Sequence, residues 1–147
     1  MDDTIDIIAT DHAPHTKEEK QQSYFKSPSG GPLVQHSLLA MLEFVCDNKM
    51  SIEKVVDMMC HKPAICFNVF KRGFIRKSYF ADLVLLDMGH KSPVTTESLL
   101  YKCKWSPFEG YIFRSKVAYT FVNGQLAYNG TKVLDNIRGM RLEFRNP

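Results

Sequence analysis

Ile5-Asp6-Ile7-Ile8-Ala9-Thr10-Asp11-His12-Ala13-Pro14-His15 is the stretch whose reading decides the fold. The apolar run from Ile5 to Ala9 is rich in β-branched residues, which suit a pleat covered on both faces, and it predicts a buried strand. The run then breaks into a polar cluster of Asp11, His12 and His15. Pro14 cannot donate to a regular ladder. A buried strand that releases a carboxylate and imidazoles at its C-terminal end is how α/β barrels present catalytic groups. The plain alternative is a strand followed by a polar turn.

Downstream, residues 16–26 are polar and lead into the breaker stretch Ser27-Pro28-Ser29-Gly30-Gly31-Pro32. Loops this long in compact domains are functional or disordered, and after a barrel strand they lie on the catalytic face. Its glycines let backbone come close to a ligand with amides free to donate. A flexible surface loop is the competing reading.

Val34, Leu38, Met41, Leu42 and Val45 recur at helical spacing and predict an amphipathic helix over 34–48, stopped at Asn48. Ser51 is placed to cap a second helix, with Glu53 in its first turn. Ile52, Val55, Val56, Met59 and Cys60 form its expected stripe, and Met58-Met59 reads as core packing. His36 and His61 on these helices read as core or surface residues before ligands. Pro63 disfavours helical geometry at Lys62 and predicts the end of the second helix.

The final third is β-rich. Residues 81–87 read as a strand flanked by acids, and Lys116 to Val122 alternates, with Val117, Tyr119 and Phe121 expected on one face. Asn123-Gly124 is a hairpin signal, Gln125 to Tyr128 the return strand, and Asn129-Gly130 its close. Arg138 to Pro147 reads as an exposed tail.

The 147 residues suit one ordinary domain, 44% hydrophobic and 24% charged, a soluble globular balance. A formal charge of +3 is too small to imply nucleic acid, and no apolar run is long enough for a bilayer. Asp2 and Asp3 after Met1 argue against a secretion signal. Cys46, Cys60, Cys66 and Cys103 lack C-x-x-C spacing and have apolar neighbours, which predicts buried free thiols in a reducing cytoplasm.

Residues 9–16, with Glu18-Glu19-Lys20 behind them, closely resemble the segment after the eighth barrel strand of the dihydroorotases, cyclic amidohydrolases of pyrimidine biosynthesis. Trp105-Ser106-Pro107-Phe108-Glu109-Gly110 resembles the W-[ST]-P-F-E-G segment near that family's C-terminus. His61-Lys62-Pro63-Ala64 is similar to the N-P-A turn of amidohydrolases, with Lys62 in place of the usual Asn. Ala81-Asp82-Leu83-Val84-Leu85 is similar to the strand that leaves the barrel for a small β-sandwich, with Tyr79 where a glycine is usual.

The resemblance implies an α/β fold, the C-terminal fragment of a TIM-like (β/α)8 metal-dependent hydrolase barrel followed by part of a small β-sandwich. Residues 1–66 would hold the last strand, active-site loop and two helices, and residues 67–147 the sandwich portion and tail. A complete barrel needs roughly 250 residues, so at most its last strand is expected here. By resemblance Asp11 is a metal ligand and the general acid/base, His15 holds the substrate's carboxylate, and backbone at Ser29 and Gly30 contacts substrate. His12 shapes the turn, and Trp105 to Gly110 joins sandwich to barrel, with Glu109 a local acceptor.

The implied reaction is reversible opening of the cyclic amide of dihydroorotate to N-carbamoyl-aspartate, with binuclear zinc. The family's H-x-H pair, modified lysine and further histidines are not found in this sequence. Zinc needs three or four converging ligands, so the isolated chain is expected to bind metal weakly and turn over nothing. Its partners would be the small-molecule substrate, the missing N-terminal barrel portion and, as one arrangement, a second copy in a homo-oligomer. Neither nucleic acid nor membrane is expected. Two other readings stand: an allantoinase- or hydantoinase-type enzyme, and a non-catalytic interaction subunit.

Overall fold

Thr16 and Glu19 close a reciprocal cap around a single helical turn, α1 (Lys17–Lys20), inside the segment read above only as polar loop. The T-x-x-E spacing is a capping-box signature, so this turn was encoded locally. A computed structural model describes residues 4–145 of the chain. Met1, Asp2 and Asp3, invoked above on secretion, lie outside the described residues.

The run from Ile5 to Ala9 forms no ladder, and Ile5 is 65% exposed, against the buried strand expected there. A strand covered on both faces takes its hydrogen bonds from neighbours on either side, and none of the described strands lies beside it. What holds it is the Ile8 N–H, which donates to the Met58 carbonyl at 3.1 Å.

The first predicted helix is α2 (Ser37–Cys46), preceded by a turn over 34–36 and stopped at Asn48 in left-handed backbone. Lys49 and Met50 return their amides to the Phe44 carbonyl there. Its buried face centres on Leu39 and Leu42, while Val34, in the preceding turn, is exposed. The second helix begins as α3 (Ile52–Val56), with the Ser51 hydroxyl accepting the Lys54 N–H at 3.2 Å.

The helix then widens into a π-turn over Asp57–His61, in which the Lys62 N–H reaches back to the Asp57 carbonyl. Val55 and Met58 are buried while Ile52, Val56 and Cys60 are exposed, and the extra residue re-phases the helix beyond it. The helix does not end at Lys62 as predicted. It continues as α4 (Lys62–Cys66), with Pro63 in its first turn directly after the wide turn, which accommodates the missing N–H.

β1 (Leu83–Asp87), β4 (Lys116–Val122) and β5 (Gln125–Tyr128) form an antiparallel sheet in the order β1-β4-β5. β2 (Ser92–Pro93) and β3 (Ile112–Phe113) pair separately. Asn123 and Gly124 both take positive φ, 51° and 78°, the two-residue turn whose twist matches a hairpin. Leu85 pairs with Tyr119 and Leu86 with Val117, which leaves Ala118 bulged. Val117 therefore packs on the core while Tyr119 is exposed, and the single face expected for them is broken. Ala127 is bulged in the same way on β5.

The core joins Leu39 and Leu42 of α2 to Val94, Leu99, Tyr101 and Phe113. Each fully buried Leu or Phe contributes about 1.5–3 kcal/mol. Arg114 fastens α2 to β3, its N–H and Nε both donating to the Glu43 carboxylate at 2.7 Å. The tail is exposed as predicted but tied: the Phe70 and Arg145 amides pair with the Glu143 and Asn68 carbonyls, both at 2.8 Å. Asn146 and Pro147 lie outside the described residues.

All four cysteines are free, as expected, yet only Cys46 and Cys103 are half-buried; Cys60 and Cys66 are exposed. Apolar Phe44, Ile52, Val56, Ile65, Val84 and Leu85 are also exposed.

Candidate functional site

Asp11 sits at φ 44°, in left-handed backbone that Asp and Asn tolerate better than most side chains. The next residue fixes this turn. His12 Nδ1 accepts two backbone amides, Leu33 N–H at 3.1 Å and Val34 N–H at 3.3 Å. A nitrogen that accepts twice carries no proton, so the ring's N–H lies on Nε2. The imidazole also tilts against Tyr101, ring centroids 5.3 Å apart. His12 thus shapes the turn, as its sequence position suggested.

The same contacts bring the Pro/Gly loop alongside. Ala13 N–H donates to the Gly31 carbonyl at 3.0 Å, and His12 bridges to Gly31. Gly30 has φ +80°, and a Cβ there would stand 2.7 Å from the Ala13 Cβ and 3.6 Å from the Asp11 carbonyl. Glycine is therefore required for this approach. Ser29 and Gly30 are both exposed beside the Asp11 turn. His15 is half-exposed, with Nδ1 3.6 Å from the Glu19 carboxylate. The backbones of Asp11 and Gly30 therefore meet along one rim, with Ser29 next to Gly30 in the chain, while the His15 ring is paired with Glu19.

The second motif supports that rim from below. Trp105 Nε1–H donates to the His15 carbonyl at 2.7 Å. The Trp105 ring and Pro107 flank Gly31, at 3.6 and 3.5 Å from where its Cβ would lie. Ser106 Oγ lies 3.2 Å from His36 Nδ1 and accepts the Phe108 N–H. His36 is buried and stacks on Phe113, and burial holds its pKa below the usual imidazole value. It is a core residue, as is Met58. His61 stacks on Phe74. Glu109 accepts the Thr96 hydroxyl at 3.1 Å, a local role as expected.

Asp11 offers a carboxylate, His15 an imidazole and the loop free backbone, groups of the kinds that move a proton and hold an anion. Among the described residues no three His, Cys, Asp or Glu side chains converge on a point. A tightly held zinc takes three or four, so these residues do not by themselves make a metal centre. The reading of the residues missed the contact from Trp105 to His15, because nothing local links positions 90 residues apart. No helix among the described residues is long and apolar enough to cross a membrane.

Comparison with known proteins fits this geometry. Residues 1–127 match the model described as the Amidohydrolase family. A dihydroorotase of Clostridioides difficile (strain 630) is 40% identical over 129 residues, 87% of this chain and 30% of that protein. One from Halobacterium salinarum is 36% identical over 132 residues, 90% of this chain and 31% of that protein. The chain thus spans about 30% of the length of the curated relatives it matches. Among solved structures, an L-hydantoinase (dihydropyrimidinase) from Arthrobacter aurescens superposes with a TM-score of 0.83 at 30% identity, over 88% of this chain and 30% of that one. A D-hydantoinase from Thermus sp. superposes with a TM-score of 0.82 at 23% identity, over 88% of this chain and 30% of that one, a likeness of fold. The expected α/β class, part of a TIM-like hydrolase barrel with part of a sandwich, is the one these neighbours share.

Proposed function

Because the chain belongs to the amidohydrolase family, we propose that it is the C-terminal part of a dihydroorotase. The whole enzyme would open the cyclic amide of dihydroorotate reversibly to N-carbamoyl-aspartate, in the cytoplasm, as a step of pyrimidine biosynthesis. The observation that carries this reading is the hydrogen bond from Ala13 to Gly31, which sets the Asp11 turn beside Ser29 and Gly30.

In this reading the Asp11 carboxylate accepts a proton from the attacking water and returns it to the ring nitrogen as the amide breaks. His15 donates to the carboxylate of the substrate, and amides at Ser29 and Gly30 orient the ring from the other side. The family is metal-dependent. We assign zinc to the whole enzyme, with Asp11 as the one ligand drawn from this stretch and the rest from the N-terminal barrel portion. Residues 1–66 are assigned to the end of the barrel and 67–147 to the sandwich portion and tail, with self-association into a homo-oligomer as a further expectation.

The hydantoinase structures favour a second reading, a cyclic amidohydrolase acting on other rings. The test is a substrate panel on the full-length protein. Turnover of dihydroorotate well above hydantoins and allantoin supports the proposal. Preference for a hydantoin sinks it.

A further inference from the structure

We propose that Lys20 is a positioning residue for the substrate-binding loop, a role that rests on the reading given above. Lys20 closes α1, and its half-buried ammonium donates to two carbonyls of the breaker stretch, Pro28 at 2.6 Å and Gly30 at 3.0 Å. The contact is returned, since Ser27 Oγ donates to the Lys20 carbonyl at 3.2 Å. Three successive links thus close a ring of chain from residue 20 to residue 30.

The two accepting carbonyls belong to the Pro28–Ser29 and Gly30–Gly31 peptides, so the ammonium sets those two planes. A carbonyl held toward Lys20 turns the amide of its own peptide unit the opposite way, because the unit is planar. Fixing Pro28 O and Gly30 O therefore aims the Ser29 and Gly31 amides away from the lysine. Gly31 is held at its other end by Ala13, so the loop is clamped at both ends beside Asp11.

Lysine suits this post. One compact ammonium with three donors reaches two convergent carbonyls, and charge-assisted bonds are stronger than neutral ones. The helix that carries it is itself pinned by the Thr16–Glu19 cap, with Glu19 Oε2 2.7 Å from the Thr16 amide. A flexible lysine stem on a fixed base makes a strut between the two halves of the loop.

The test compares Lys20→Met and Lys20→Arg in the full-length protein. Lys20→Met keeps the length and loses the donors. It should raise KM for dihydroorotate about tenfold while kcat changes less than about threefold. Amide hydrogen exchange over residues 27–31 should speed up about tenfold in the same variant. Lys20→Arg, which can span two carbonyls, should restore most of both. Unchanged KM and unchanged exchange in Lys20→Met overturn the proposal. So does an equal collapse of kcat and KM that arginine does not rescue, the mark of a merely structural side chain. Failure of the unmodified protein to open dihydroorotate counts against the function proposed above, and the exchange measurement then decides the role of Lys20 by itself.

Discussion

The indole N–H of Trp105 and the main-chain carbonyl of His15 meet at 2.7 Å, joining two motifs 90 residues apart. The carbonyl is not a side chain that could turn away, so the bond sets the path of the backbone that carries His15. Trp105→Phe removes the donor together with the outer edge of the indole that packs on Gly31. In the full-length protein it should cost at least about 1–2 kcal/mol, the penalty for a carbonyl left without its partner, and lower kcat/KM several-fold. Denaturant unfolding and steady-state kinetics on the same preparation check both.

Asp11→Asn separates chemistry from conformation. Asparagine accepts left-handed backbone at least as well as aspartate, so the φ of 44° is preserved. The amide cannot act as a base. In the full-length protein, ring opening should fall by about 100-fold or more while the circular dichroism spectrum and unfolding midpoint stay as they were. Near-normal turnover in this variant would remove Asp11 from the proposed role.

Gly30→Ala tests the close approach at the rim. At φ +80° the new methyl would stand 2.7 Å from the Ala13 Cβ, and both the backbone and the neighbour resist it. A loss of about 1–2 kcal/mol is expected from the conformational term and the overlap together. The loop should withdraw from Ala13, so KM rises. An alanine variant with unchanged KM and stability contradicts the packing described.

His36 gives a pH signature. Burial lowers its folded-state pKa below the ordinary 6.5, so the unfolded chain binds the proton more readily. Its contribution to stability is therefore complete above about pH 6.5 and is lost as pH falls through the lowered value. The unfolding midpoint should drop between pH 7 and pH 5, and His36→Leu should flatten that slope. A slope unchanged by the substitution would show that another group sets it.

Ser115 points the other way. Its hydroxyl is fully buried with no hydrogen-bond partner among the described residues. An unpaired buried hydroxyl costs about 1–3 kcal/mol, so Ser115→Ala should be neutral or stabilising by about 1 kcal/mol. A destabilised variant, measured by thermal unfolding, would mean that the hydroxyl finds a partner in solution.

Local rules carried much of this chain. Ser51 caps where a capping residue should, Asn48 stops α2, and β4 and β5 run between the bounds that Asn123-Gly124 implies. The family was legible for another reason: a run as specific as residues 9–16 carries its membership with it. What escaped was whatever depends on neighbours. Ile5 to Ala9 has strand composition but no described strand to pair with. The π-turn at Asp57–His61 carried Pro63 into the head of a new helical segment, and no periodicity announces an inserted residue. The bulge at Ala118 likewise reversed a face that alternation alone would assign.

The paired bulges have a bearing on how this protein avoids sticking to itself. β1 is an edge strand of four aliphatic and β-branched positions, the composition that invites another chain to add on. Its partner β4 is bulged at Ala118 beside it, β5 is bulged at Ala127 on the far side of β4, and each bulge adds local twist. A coiled edge offers an incoming flat strand only a few amides in line. Asp82 and Asp87, which bracket the stretch, are paired with Arg72 and Lys116, so it is shape that an incoming flat strand fails to match.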